Sequence, residues 1–187
     1  PLAPSPYPRK PGDDQADRSV HGGPDKSVYC YPSEHAAAWI ADGFDLPPGS
    51  VGENAALEGA IESDVRVGDI WRWGTAKIQI SQPRAPCFKL TMHTSRKDIG
   101  PHMIATGRSG WYVRTVEPGI VDTHGMLELV ERDKTAPTVA ECFAAMFPGV
   151  HTEADDPEIV QRVVRCRALA PEWLGYLPAR NPRDHRD

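Results

Sequence analysis

Hydrophobic and polar positions alternate over short spans through the first two thirds of the chain, and the period then lengthens. In TAKIQI, Ile78 and Ile80 alternate with Lys77 and Gln79, the two-residue repeat of a half-buried strand. KSVYCY, rich in β-branched and aromatic residues, predicts another strand, and IWRWGTAKIQIS predicts two strands around Gly74. GWYVRTVEPG reads as a strand closed by a Pro-Gly turn, and MLELVER as the last one. Strands this short, at this spacing, predict a barrel rather than alternating βαβ units. One helix interrupts them, from Pro32 and Ser33 to Trp39, with Ser33 as its N-cap.

Past Arg132 the apolar residues Val139, Cys142, Phe143, Met146 and Phe147 fall at helical spacing, and Thr138 with Glu141 makes a T-x-x-E capping box. A second helix starts at Asp156-Pro157-Glu158 and carries Ile159, Val160, Val163 and Val164 on one side. Pro171-Glu172-Trp173 starts a third. The expected fold is mainly β with α: a proline-rich arm (1–11), a β-barrel domain (12–133), a three-helix module (134–180) and a polar tail (181–187). Prolines at 1, 4, 6, 8 and 11 predict that the arm is not a fold element.

Composition narrows the functional classes. With 187 residues, 40% of them hydrophobic, the chain can bury one substantial core. No run approaches the roughly 18 apolar residues of a membrane span, and the opening residues lack the apolar stretch of a secretory signal, so a cytoplasmic protein with no membrane contact is expected. Four cysteines, at 30, 87, 142 and 166, show no CxxC spacing, which predicts reduced thiols and no structural zinc. A net charge of −5 argues against a nucleic-acid partner.

The charge is unevenly spread. Residues 77–114 hold seven of the 21 Lys and Arg residues but one of the 26 acids, Asp98. An anionic ligand fits such a segment, and so do solvated charges balanced elsewhere in space. From charge alone, other phosphate-bearing cofactors such as pyridoxal phosphate fit it too. Within it SQPRAPCFKL carries Cys87 between Pro86 and Phe88, near Arg84 and Lys89. Neighbouring positive charge favours the thiolate, which attacks electrophiles and binds soft metals. Cys87 is thus a covalent nucleophile, a metal ligand beside an anionic cofactor, or a small buried apolar residue. His21, His35, His93, His102 and His124 are available as partners for the first role, and spacing selects none of them. Cys142 and Cys166 belong to helix packing.

HGGPDKSVYCYPSEHAAAW, LPPGSVGENAALEG, VRVGDIW, AKIQISQPRAPCFKL and GRSGWYVRTVEPGIV, in this order and at these distances, resemble the MOSC domain, named for the C-terminal domain of molybdenum cofactor sulfurase. The resemblance covers about residues 12 to 130 and is nearest to the YiiM-type bacterial subgroup, whose three-helix extension the trailing helices match. It implies a MOSC-type β-barrel that holds the molybdenum cofactor, a molybdopterin bearing a phosphate, with Cys87 as both catalytic residue and molybdenum ligand. It also implies reduction of N-hydroxylated small molecules such as 6-hydroxylaminopurine, with electrons from a separate reductase. The alternative is a sulfur-carrier or cofactor-delivery module that uses Cys87 without turnover of a small substrate.

Further cofactor-binding residues follow from the matched blocks: Arg84 and Lys89 for the phosphate, His21 and Lys26 in the HGGPDK turn, and Glu53 and Asn54 for pterin nitrogens. Of Arg108 and Arg114, one binds anion while the other supports its strand. Trp111 is expected in the core, and Glu53 with Asn54 equally suits a loop-stabilising pair. Members of the family usually have barrel strands before HGG. With about twenty residues there, an incomplete barrel would need another subunit, as in a homodimer, or a further segment to cover its edges.

Overall fold

The computed structural model describes residues 3–4, 23–122 and 124–177, which leaves His21 and the 181–187 tail outside the described residues. Among the described residues seven strands form one sheet: β1 (Ala3–Pro4), β2 (Val28–Pro32), β3 (Ala55–Glu58), β4 (Ile70–Trp73), β5 (Ala76–Pro83), β6 (Trp111–Glu117) and β7 (Leu127–Glu131). Their order across the sheet is β1-β3-β2-β6-β5-β4-β7. The sheet is curled into a half-barrel, and among the described residues no ladder joins β1 to β7. Ala3–Pro4 pairs antiparallel with β3, so part of the proline-rich arm is a fold element after all. Proline is tolerated there because an edge strand does not need every N–H for the ladder.

Two further expectations change. β2 and β3 pair in parallel through α1 (His35–Ala41), one βαβ unit in a sheet expected to have none. Ser33 does not cap α1, whose N-cap is Glu34; its hydroxyl donates instead to the Leu57 carbonyl at 3.0 Å, because the parallel crossover brings β3 alongside.

The larger departure lies between β5 and β6. A span read as strand and loop contains α2 (Phe88–Thr94) and α3 (Ile99–Thr106). Each is two turns or so, and α2 buries Leu90 alone, so neither has an apolar stripe long enough to show a helical period. Pro101, which looks like a breaker, occupies the first turn of α3, where its missing N–H has no helical acceptor to lose.

The C-terminal helices form as expected: α4 (Val139–Ala144), α5 (Pro157–Arg165) and α6 (Pro171–Tyr176). Thr138 and Glu141 make the reciprocal capping box, and Asp156 caps α5 by accepting from Glu158 and Ile159 amides. Val163 is buried, whereas Val164 turns to solvent. Val139, Phe143 and Trp173 share one core with Trp71, Ile80 and Trp111 of the sheet. A second core on the opposite face joins Tyr29, Tyr31 and Trp39 to Leu90, Ile99 and Met103. No helix among the described residues is long and apolar enough to cross a membrane.

Candidate functional site

β5 delivers the site. A bulge between Ile80 and Gln82 shifts the β5–β6 register so that Gln82 comes opposite Tyr112, and the chain leaves the sheet at Pro83. Bulges re-aim side chains in this way. Arg84 follows, fixed through its amide to the Gly110 carbonyl at 3.3 Å. Cys87 is the N-cap residue of α2, half-buried and free.

Arg84 is 7% exposed. Its guanidinium lies over the Tyr29 ring, 5.4 Å from the centroid, and meets Met103 Sδ at 3.4 Å. Among the described residues it enters no ion pair, which for a cation this deep leaves its charge available to a ligand. Four of the seven central cations are neutralised: Lys77 by Glu117, Arg96 by Asp98, Arg108 by Asp42 and Arg114 by Asp25. Arg84 and Lys89 come together instead, lining a cleft of about 550 Å³ that runs from the Ser50–Gly52 loop along α2. Among the described residues no Asp or Glu lines it.

The remaining expected contacts divide. Glu53 accepts the Gly49 amide through one oxygen at 2.5 Å, and its other oxygen is buried with no hydrogen-bond partner among the described residues. Asn54 is engaged in the sheet, its Oδ1 accepting the Tyr29 amide at 2.9 Å. Lys26 pairs with Glu172 at 2.6 Å and lies 5.8 Å from the Tyr112 ring centroid. Arg114 donates to the Ala168 carbonyl and to Gln79 besides its ion pair, which ties β6 to the helical module. Arg108 stands over Trp39 and holds Asp42 at 2.5 Å. Neither arginine lines the Arg84 cleft. Trp111 is in the core, as expected.

Tyr112 is a site residue that strand patterning conceals. Burial pushes its hydroxyl pKa up, the Arg84 guanidinium beside it pulls it back, and a charged Cys87 would raise it. Burial also pushes Tyr29 well up, against the pull of Arg84. Both phenols therefore keep their protons at neutral pH. Tyr29 Oη donates to the Ser109 carbonyl at 2.8 Å. Only the pairing of Gln82 with Tyr112 reveals the latter's position, and a polar residue beside Trp111 in sequence gives no such signal. Gln82, opposite Tyr112 on β5, is buried, and its Oε1 has no hydrogen-bond partner among the described residues. A different cleft of about 480 Å³, between residues 135–137 and α5, contains none of the expected site residues.

The MOSC domain pattern matches residues 17–126. The chain belongs to the MOSC family. Among similar proteins, protein YiiM of Escherichia coli is 40% identical over 175 residues, 90% of this chain and 75% of that protein. Protein YflK of Bacillus subtilis is 36% identical over 175 residues, 92% of this chain and 76% of its own length. A protein named reductase from Gibberella moniliformis is 32% identical over 126 residues, 65% of this chain but 22% of that much longer protein. The crystal structure of YiiM from Geobacillus stearothermophilus superposes with a TM-score of 0.73 at 36% identity, over 81% of this chain and 76% of that one. YiiM from Escherichia coli superposes at 0.71, over 81% and 75%.

Proposed function

We propose that this MOSC protein binds the molybdenum cofactor, with Cys87 as ligand to molybdenum, and reduces N-hydroxylated compounds of the 6-hydroxylaminopurine class. Arg84 carries the reading: a buried guanidinium that, among the described residues, has no carboxylate partner and lies in a cleft free of acids, two residues after the bulge and three before a half-buried free thiol. The residues fit the group chemically. A thiolate suits a soft metal, the Arg84 guanidinium suits a phosphate, and the orphaned Glu53 oxygen is an acceptor for pterin N–H donors. Relatives that include a protein named reductase support an oxidoreductase.

When bound, the molybdenum centre supplies two electrons, originally from a separate reductase, so that R–NHOH with two protons yields R–NH2 and water. Arg84, buried at the inner end of the cleft, binds and orients the anionic tail. Tyr112, whose burial keeps it protonated, holds a proton at Oη near Cys87 and Arg84. The second core under Leu90 and Met103 keeps the Arg84 side of the cleft dry.

The test is expression in a host that makes the pterin, followed by elemental analysis and turnover of 6-hydroxylaminopurine with an electron donor. Cys87→Ala is expected to fold normally and to lose turnover, and Arg84→Ala to carry less molybdenum per protein. Full turnover by Cys87→Ala overturns the ligand assignment. Retained cofactor, no reduction and transfer of sulfur or cofactor to an acceptor would instead establish a carrier.

A further inference from the structure

The outer wall of the Arg84 cleft has a pattern that the proposed reaction does not use. On α2, Phe88 and Met92 stand four residues apart, as do Lys89 and His93, and all four line the cleft. Residues four apart lie one above the other on a helix, so α2 presents an apolar stripe beside a basic one. Phe88 is 69% exposed and Met92 71% exposed. Two large apolar side chains left in water at the mouth of a cleft indicate a contact surface. A phenyl ring and a thioether are suited to the face and edge of a planar heteroaromatic ring. Lys89 enters no ion pair among the described residues, and no acid lines the cleft to repel an anion. The volume of about 550 Å³ lies within the range of small-molecule sites.

We infer that the α2 wall selects the phosphorylated form of the substrate: a nucleoside 5′-monophosphate carrying the N-hydroxylated base, its ring against Phe88 and Met92 and its phosphate at Lys89 and His93. The inference rests on the reading of the site as an N-hydroxylated-base reductase and adds the substrate class. Arg84, buried at the inner end, remains with the cofactor, while the exposed α2 residues meet the exchanging ligand. The phosphate supplies the charge complement that a free base lacks.

The experiment uses the full chain loaded with molybdenum and has two arms. In calorimetry with unreactive probes, AMP is expected to bind about tenfold or more tightly than adenosine, the scale of one charge-assisted hydrogen bond. Lys89→Gln is expected to bring AMP to the adenosine level, and Phe88→Ala to weaken both alike. In turnover, the 5′-monophosphate of 6-hydroxylaminopurine riboside is expected to have a lower KM than the riboside, with Lys89→Gln raising KM and leaving kcat and molybdenum content unchanged. Equal affinities for AMP and adenosine overturn the inference. So does a Lys89→Gln effect confined to the KM for the electron-donating protein, which would make α2 a protein-docking surface. Discrimination between AMP and adenosine with no reduction of any hydroxylamine would leave a nucleotide site and overturn the reductase.

Discussion

Glu62 accepts the backbone N–H of Gly110 at 2.6 Å through one carboxylate oxygen while the other meets His35 Nε2 at 2.8 Å. All of it is buried, and the Gly110 carbonyl in turn accepts the Arg84 amide. The start of β6, the helix α1 and the site arginine are thus anchored to one carboxylate.

Glu62→Ala leaves two buried groups without an acceptor, each costing about 1–3 kcal/mol. Denaturant unfolding is expected to show that loss, together with lower molybdenum content from a misplaced Arg84. Glu62→Gln keeps one acceptor oxygen and is expected to recover part of both. Wild-type stability in the alanine variant would remove this anchor.

Gly110 has φ +63°, and a Cβ there would meet the Cys30 carbonyl oxygen at 2.5 Å and the Tyr31 ring at 2.8 Å. Backbone and a packed ring cannot yield cheaply. Gly110→Ala is therefore expected to destabilise by more than the about 1 kcal/mol scale of ordinary glycine substitutions. An unchanged melting temperature would show that β2 and β6 can separate at this point.

Thr138→Ala removes the side-chain acceptor of the Glu141 amide at the head of α4. The expected cost is about 1 kcal/mol by urea unfolding, with Thr138→Ser nearly neutral. Equal losses in both variants would mean that the methyl group's packing, not the cap, is at stake.

Asp42 holds α1 to α3 and the following loop by accepting from His102 at 2.9 Å and Arg108 at 2.5 Å. Those hydrogen bonds lower its pKa, the one to His102 most. A depressed folded value means that its contribution is fully present above the unfolded carboxylate pKa near about 4 and disappears as pH falls through the lower folded value. Acid titration of stability is expected to show a shallower low-pH loss in Asp42→Asn than in the wild type. Superimposable acid limbs would show that Asp42 is not linked to folding.

The sequence by itself determined what neighbours along the chain decide. The strand repeat of β5, the Thr138–Glu141 box and the Asp156 cap are set by residues within four positions of one another, so propensity and hydrogen bonding act locally. Cys87 near Arg84 and Lys89 is legible for the same reason, since two or three residues of backbone cannot separate them far. Tertiary structure decided which charges stay available. Arg108 meets Asp42 across 66 positions and Arg114 is paired with Asp25, so a run that looks uniformly basic is neutralised at most points, and of the cations left over Arg84 and Lys89 share one cleft. It also decided α2 and α3, helices too short to declare a period and held by packing of Leu90, Ile99 and Met103 against aromatic residues of β2. Tyr112 entered the site through a strand register that a bulge fixes, and register is a relation between strands that no single strand encodes.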